Sequence, residues 1–114
     1  MDKKLASLLS ICMKAGKIVS GEFVCERLLR IGGAKLMLLA RDASENTQKK
    51  FTRKSLYYQI PIFLYGSKSE LSHSVGRSDR AVFAVTDAGL AANVEKWLRE
   101  NCVSQQTEAG ECRK

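Results

Sequence analysis

The sequence predicts an α/β protein, a three-layer α/β/α sandwich around a small four-stranded sheet that is mixed but mainly parallel. Segments with apolar residues at helical spacing alternate with short segments that are apolar at every position. The second pattern is typical of strands that helices cover on both faces. A chain of 114 residues supports one hydrophobic core. We therefore expect one domain over 1–101 and a disordered tail over 102–114, where the sequence is polar and aperiodic.

An amphipathic helix is predicted at the start of the chain. Asp2 can cap its first turn, and Gly16 suits its end. A short extended segment follows at 17–20. The apolar residues of this helix share one face at the spacing i, i+3, i+4, i+7, i+8: Leu5, Leu8, Leu9, Cys12 and Met13.

The second and third predicted helices flank the first core strand in the sequence. Gly21 opens the second helix, and a glycine pair ends it. Residues 34–40 are too apolar for a half-exposed strand, so we expect a strand covered on both faces. Either Asp42 or Ser44 caps the third helix, which runs to about Tyr58.

The second half of the chain repeats this alternation. Residues 60–65 and 81–86 are predicted strands. Between them, SKSE at 67–70 fits a capping box and starts a short helix. Asp87 caps the last helix, whose apolar stripe is Leu90, Ala91, Val94, Trp97 and Leu98.

The composition indicates a globular protein with excess positive charge. Lys and Arg total 19 against 12 acidic residues, which gives a formal net charge of +7. This surplus favours a polyanionic partner, nucleic acid before an acidic membrane. No segment approaches the roughly 18 apolar residues of a membrane span, and no signal-peptide cleavage pattern follows the N-terminus. We expect a cytoplasmic protein without a membrane partner.

Residues that bind metals or catalyse reactions are sparse. The four cysteines form no C-x-x-C pair, and only one histidine is available to complete a metal site with them. We expect reduced cysteines, with Cys12 and Cys25 in the core, and we expect His73 to be an exposed polar residue. The glycine motifs of nucleotide-binding loops are absent. We therefore predict no metal site and no cofactor.

Two aspartates leave an enzymatic function open. Asp42 and Asp87 each follow a predicted core strand, where open α/β sheets bind ligands. Two carboxylates there could hold Mg²⁺ in a phosphotransfer or phosphatase module. Each aspartate also begins a helix, where it would stabilise free N–H groups without any ligand. A protein-binding adaptor is a third possible function.

Basic residues are concentrated in three regions, and basic side chains without nearby acids suit contacts with phosphates. On the third helix, pairs spaced four apart form a ribbon along one flank. The three groups are Lys49, Lys50, Arg53 and Lys54 on that helix, Lys14, Lys17, Arg27 and Lys35 near the first loops, and Arg77 and Arg80 within GRSDR.

The sequence resembles the ribosomal L-seven-Ae and L-thirty-e superfamily, most closely its small bacterial YlxQ-like branch. The resemblance extends from residue 5 to about 98 and includes KAGKIVSG, DASENTQKK and SKSEL. It implies an α/β/α sandwich and a noncatalytic RNA-binding function. The implied partner is structured RNA, either ribosomal RNA or another kink-turn-like RNA, with the ribosome as a possible assembly.

The resemblance also implies where RNA binds. In the family, RNA contacts the loop before the second helix, the start of the third helix and the loop before the last strand. These regions correspond to 21–27, 41–50 and 76–80. With the basic residues above, the expected RNA-binding residues are Lys17, Gly21, Glu22, Phe23, Arg27, Lys35, Arg41, Asp42, Lys49, Lys50, Gly76, Arg77 and Arg80.

Two residues depart from the family pattern. Kink-turn binders usually carry Asn-Glu where this chain has Phe23 and Val24, whose side chains cannot bond to guanine edges. Arg27 occupies the position of a family lysine. We expect weak binding to a standard kink-turn, with RNA binding in general retained. Phe23 could stack on an unpaired base, or it and Val24 could belong to the core face of the second helix.

Overall fold

A computed structural model describes residues 2–77, 79–101, 105–106 and 112–113. Every helix and core strand predicted above is present, and the bounds differ from the predictions by a few residues. The elements are α1 (Lys3–Lys14), β1 (Ile18–Ser20), α2 (Glu22–Ile31), β2 (Leu36–Leu39), α3 (Glu45–Tyr57), β3 (Ile62–Leu64), α4 (Lys68–Ser74), β4 (Val82–Val85), α5 (Ala88–Glu100), β5 (Gln105–Gln106) and β6 (Cys112–Arg113).

The predicted disordered tail, 102–114, lies mostly outside the described residues. Its four described residues form the short strands β5 and β6, which continue the sheet beyond β3. Phe63 pairs with Gln105 across this edge. For the tail as a whole, disorder stays a prediction.

Side-chain caps determine where the helices begin. Asp2 and Asp87 each accept a hydrogen bond from an N–H group in the first turn of α1 and α5, at 2.8 and 2.9 Å. Ser67 and Glu70 form the predicted capping box at the start of α4. Each cap satisfies backbone donors that have no partner within the helix.

Ser44, and not Asp42, caps α3. The Ser44 hydroxyl accepts a hydrogen bond from the Thr47 N–H at 3.2 Å. The Asp42 carboxylate accepts one from the Lys68 N–H at 2.8 Å, in the first turn of α4. Asp42 therefore joins the end of β2 to the start of a helix that is distant in sequence.

The sheet is mixed, as predicted: three of its four core strands run in one direction, but two of the three pairings between these four strands are antiparallel. The strand order is β1-β4-β2-β3-β5-β6, and among the strands that the structure describes only β2 and β3 pair in parallel. β4 lies between β1 and β2 and is antiparallel to both. Strands buried on both faces have the same apolar pattern in either direction, so the sequence carried no signal for the direction of β4.

Two hydrophobic layers confirm the three-layer sandwich. Successive residues of β2 alternate between them, and all four are buried. Leu36 and Leu38 pack in a cluster with residues of α1, α4 and α5. Met37 and Leu39 pack in a second cluster with residues of α2 and α3. Burial of each such side chain contributes roughly 1.5–3 kcal/mol to the stability of the fold. Because its residues pack into both clusters, β2 lies at the centre of the core.

Two predicted core cysteines are in these layers. Cys12 and Cys25 are buried free thiols. Burial raises the pKa of the Cys25 thiol to about 12, so this group stays protonated near neutral pH. Cys102 and the side chain of Cys112 lie outside the described residues. Among the helices that the structure describes, none is both long and apolar enough to cross a bilayer.

The strand register gives the sheet two distinct ends. At the first, which we call the Gly21 end, the Gly21 N–H donates to the Val82 carbonyl at 3.0 Å, and the Ala40 N–H donates to the Ala81 carbonyl at 2.9 Å. At the second, the Lys17 end, the Thr86 N–H donates to the carbonyl of Lys17 at 2.7 Å. The loops at each end are therefore held together by sheet hydrogen bonds.

Candidate nucleic-acid interface

The loop before α2 and the loop before β4 meet at the Gly21 end. Gly21 has φ of +104°, a conformation that favours glycine. A Cβ atom at this position would lie 3.1 Å from a guanidinium nitrogen of Arg80. The Arg80 side chain therefore lies directly over the backbone that begins α2.

Arg80 is held in this position through its own backbone. Its N–H donates to the hydroxyl of Ser72 at 2.8 Å, and that hydroxyl donates to the Arg80 carbonyl at 3.1 Å. The Arg77 N–H donates to the Ser72 carbonyl at 2.8 Å. Ser72 is buried in α4, so these hydrogen bonds anchor the backbone of both arginines. The side chains of the two arginines are exposed. Gly76, just before them, is exposed and has φ of +67°.

The starts of α2 and α3 are joined at the same end. The Thr47 hydroxyl donates to the Glu22 carboxylate at 3.4 Å and accepts from the Ser44 hydroxyl at 2.8 Å. The described residues of all three segments that the resemblance assigned to RNA, 21–27, 41–50 and 76–80, therefore reach the Gly21 end. The structure brings them together through short contacts between residues far apart in sequence.

Arg41 and Asp42 also lie at the Gly21 end, next to the residues that follow β3. The Arg41 N–H donates to the Gly66 carbonyl at 2.7 Å, and its guanidinium carbon lies 5.9 Å from the centre of the Tyr65 ring. These residues, with Ser67 and Glu70, line a cavity of about 410 Å³. Arg41 is thus an exposed cation held beside an aromatic ring.

Phe23 and Val24 lie on the outer surface of α2. Phe23 is 80% exposed and Val24 is 42% exposed, so the alternative that placed them in the core was wrong. The buried face of α2 contains Cys25 and Leu29. Two residues along a helix correspond to a rotation of about 200°, which directs Phe23 away from the face that contains Cys25.

The basic ribbon on α3 is largely paired with acidic residues. Lys50 lies 2.8 Å from the carboxylate of Glu26, Lys54 lies 3.6 Å from it, and Lys49 lies 2.9 Å from that of Glu45. The expectation that these lysines lack nearby acids was therefore wrong. Glu26 is on α2, and only the packing of the two helices brings it to Lys50.

These ion pairs change the titration of the groups involved. The hydrogen bond from Lys50 lowers the pKa of Glu26, and the same bond raises the pKa of Lys50. Lys49 lowers the pKa of Glu45 in the same way. All of these groups are partly or largely exposed, so solvent weakens the pairs.

Lys17 and Lys35 are separated from the other predicted residues. Lys17 is beside Thr86 at the Lys17 end, and the Lys35 N–H donates to the Val85 carbonyl there at 2.8 Å. The Lys35 ammonium also lies 3.4 Å from the Gly32 carbonyl at the end of α2. Arg27 is exposed on α2 between the two ends.

The proposed magnesium pair is wrong in its geometry. Asp42 follows β2 at the Gly21 end, whereas Asp87 follows β4 at the Lys17 end, because these strands are antiparallel. Each carboxylate instead binds an N–H group at the start of a helix. Among the residues that the structure describes, no three His, Cys, Asp or Glu side chains are grouped closely enough to hold a metal ion. His73 is exposed, as predicted.

Comparison with known proteins identifies a family and two relatives whose sequences align with most of this chain. The model of the ribosomal protein L7Ae/L30e/S12e/Gadd45 family matches residues 3–95. An RNA-binding protein YlxQ from Bacillus subtilis (strain 168) is 45% identical over 84 residues, which cover 74% of this chain and 84% of that protein. An RNA-binding protein YlxQ from Enterococcus faecium is 37% identical over 96 residues, which cover 84% and 92%.

More distant similarity extends to a ribosomal protein and to solved structures. Large ribosomal subunit protein eL30 of Dictyostelium discoideum is 30% identical over 90 residues, 77% of this chain and 80% of that one. A Bacillus halodurans protein of unknown function has a TM-score of 0.83 at 30% identity and covers 86% of this chain and 99% of its own. A Giardia lamblia 15.5kD RNA binding protein has a TM-score of 0.72, 17% identity and coverages of 88% and 92%, which shows a shared fold.

The Glu26–Lys50 ion pair makes a prediction for titration. In Lys50→Met, the pKa of the Glu26 carboxyl should rise toward its ordinary value, because the main hydrogen bond to the carboxylate is lost. An NMR titration of the side-chain carboxyls measures this. Since the folded pKa is lowered, the pair stabilises the fold above the unfolded pKa, and its contribution is lost as pH falls through the folded pKa.

Lys49→Met is the matched control for this titration. It should raise the pKa of Glu45 and leave that of Glu26 unchanged, since Lys49 pairs within its own helix. A Glu26 pKa that is the same in wild type and Lys50→Met would contradict the pairing between α2 and α3.

Proposed function

The chain belongs to the ribosomal protein L7Ae/L30e/S12e/Gadd45 family, and from this premise we propose that it is a noncatalytic protein that binds structured RNA through the Gly21 end of its sheet. The names of both YlxQ relatives state RNA binding. The observation that carries the proposal is the meeting of three chain segments at one end, with Arg80 held over the backbone of Gly21.

The charges at this end favour phosphate contacts. Arg41, Arg77 and Arg80 are exposed, and Arg27 is exposed on the adjacent helix. Within the described part of the chain, the structure records no ion pair for any of them, in contrast to Lys49, Lys50 and Lys54. A guanidinium group offers a planar set of donors that matches a phosphate. We assign contacts with the phosphates of the RNA backbone to these arginines, and a lesser role in RNA binding to the lysines of α3.

The rigidity of the site favours recognition of RNA shape. Gly21 and Arg80 are fixed by sheet and Ser72 hydrogen bonds, and α2 and α3 are joined through Thr47. A rigid edge with spaced cations can bind a folded RNA whose phosphates already have the matching positions. Ribosomal RNA or another kink-turn-like RNA, in the cytoplasm, is the partner that we propose.

A standard kink-turn would be bound without base-edge contacts from Phe23 and Val24. Both side chains are exposed beside Gly21 but carry no hydrogen-bond donor or acceptor. Contacts with the RNA phosphates would then supply the affinity, and such contacts carry little information about the RNA sequence. The proposed partner therefore resembles a kink-turn in shape and is not read through guanine edges at this position.

A charge reversal at each end of the sheet tests the location of the site. Arg80→Glu should weaken binding to a structured RNA and lower the log–log salt slope by roughly one, because a phosphate contact is lost. Fluorescence anisotropy at several salt concentrations measures both quantities. Lys17→Glu changes the net charge of the protein by the same amount as Arg80→Glu, and it should leave the affinity for RNA near that of wild type. If the two variants lose affinity equally, the binding depends on net charge and not on the Gly21 end.

Restoring the family pair tests the role of Phe23 and Val24. Wild type should bind a standard kink-turn RNA weakly, and Phe23→Asn/Val24→Glu should bind it more tightly, with the affinity for a control hairpin unchanged. The substitutions are on an exposed surface, so we expect the fold to persist. The control Phe23→Asn/Val24→Gln lacks the two acceptor oxygens of a carboxylate and should gain less. Equal affinity of wild type and the Phe23→Asn/Val24→Glu variant for the kink-turn is the result that this prediction excludes.

A further inference from the structure

We infer that the outer edge of β1 binds an extended, acidic peptide of a partner protein, which adds to the sheet as a further strand and places a carboxylate on Arg77 and Arg80. This inference goes beyond the proposed function and does not depend on it. It concerns backbone groups and an apolar groove that contacts with RNA phosphates do not require.

The outer edge of β1 presents backbone hydrogen-bonding groups that the sheet does not use. In the sheet that the structure describes, β1 is the end strand, and it pairs with β4 on one side. The Lys17 carbonyl and the Gly21 N–H are both hydrogen-bonded to β4. In an antiparallel pair, residues bonded to the neighbouring strand alternate with residues whose groups point away from it. The N–H and carbonyl groups of Ile18 and Ser20 therefore point outward.

A groove of about 310 Å³ follows this edge. Met13 and Val75 line it and pack with the core cluster of α1, α4 and α5. Val19, which also lines it, packs with the cluster on the other face of the sheet, and Val24 adds an apolar side chain from α2. The groove therefore has apolar side chains on both faces of the sheet. Because successive side chains of a strand point to opposite faces, an added strand would contact both groups.

The charges along the groove favour an acidic partner. Arg77 and Arg80 line it and are exposed, and none of its described lining residues is acidic. Lys14 and Lys17 are exposed just before β1, so cations lie near both ends of the strand. A carboxylate matches the paired donors of a guanidinium group. Because the same arginines are assigned to RNA phosphates, the peptide and the RNA would compete for this edge.

Backbone pairing favours a peptide over RNA in this groove. An extended peptide offers alternating donors and acceptors that match those of a strand edge. A phosphate accepts hydrogen bonds but donates none, so it would leave the outward carbonyls of Ile18 and Ser20 unpaired. The edge is three residues long, and we therefore expect weak, reversible binding.

Amide hydrogen exchange, measured by NMR, tests this inference directly. The probe is a synthetic hexapeptide with glutamate at each end and valine alternating with threonine between them. Saturation with the peptide should slow exchange of the Ile18 and Ser20 N–H groups, because each gains or borders a new strand hydrogen bond. Exchange of the Gly21 N–H, which is already bonded to β4, should change little.

Two substitutions at Ser20 separate backbone pairing from side-chain contacts. Ser20→Pro removes the outward N–H and no hydrogen bond to β4, and proline is tolerated at such an edge position. It should weaken peptide binding about 3- to 10-fold in fluorescence anisotropy with a labelled peptide. Ser20→Ala keeps the N–H and should bind the peptide as wild type does.

A charge reversal tests the role of the arginines. Arg80→Glu should weaken peptide binding about 5-fold, because the contact with a carboxylate is replaced by repulsion. Lys96→Glu is the matched control, since Lys96 is exposed on α5 and does not line the groove. It changes the net charge by the same amount and should leave peptide binding near that of wild type.

Several results would overturn the inference. These are no binding of the peptide to wild type, binding that leaves exchange at Ile18 and Ser20 unchanged, and an equal loss of affinity in Arg80→Glu and Lys96→Glu. A structured RNA that slows exchange at these two amides when the peptide does not would assign the groove to RNA instead. If the peptide behaves as expected and no structured RNA binds, the proposed function fails and this inference stands.

Discussion

The antiparallel pairing of β4 with both β1 and β2 determines which loops share an end of the sheet. Because β4 begins where β1 and β2 end, Arg80 lies over Gly21 and close to the residues that follow β2. The same direction carries Asp87 to the opposite end, away from Asp42. One strand direction thus assembles a surface of cations and removes the geometry for a shared metal ion.

The division of α2 into two faces connects the core to this surface. Cys25 and Leu29 anchor the helix against the sheet, which leaves Phe23, Val24 and Arg27 on the outside. Glu26 crosses to α3 and pairs with Lys50. The cations of α3 are partly neutralised by this contact, whereas the arginines of the Gly21 end form no ion pair within the described part of the chain. Packing therefore decides which part of a basic chain is available to an anionic partner.

Local signals in the sequence predicted much of the fold. The capping residues Asp2, Ser67 and Asp87 located helix starts, and the fully apolar run at 34–40 located the central strand. Strand direction was not predictable, since burial on both faces gives one apolar pattern for parallel and antiparallel neighbours. The Glu26–Lys50 pair and the exposure of Val24 were missed for a related reason: both depend on how α2 is rotated against the sheet, and a short helix with apolar residues on several sides does not specify that rotation.

The most direct test of the account is to map the RNA contact surface residue by residue, by following backbone amide NMR signals during titration with a structured RNA. The account predicts that the largest changes occur at the Gly21 end, at Gly21, Phe23, Arg41 and Arg80, and that Lys17, Lys35 and Thr86 are little changed. Changes centred on the Lys17 end, or spread evenly over the basic surface, would contradict it.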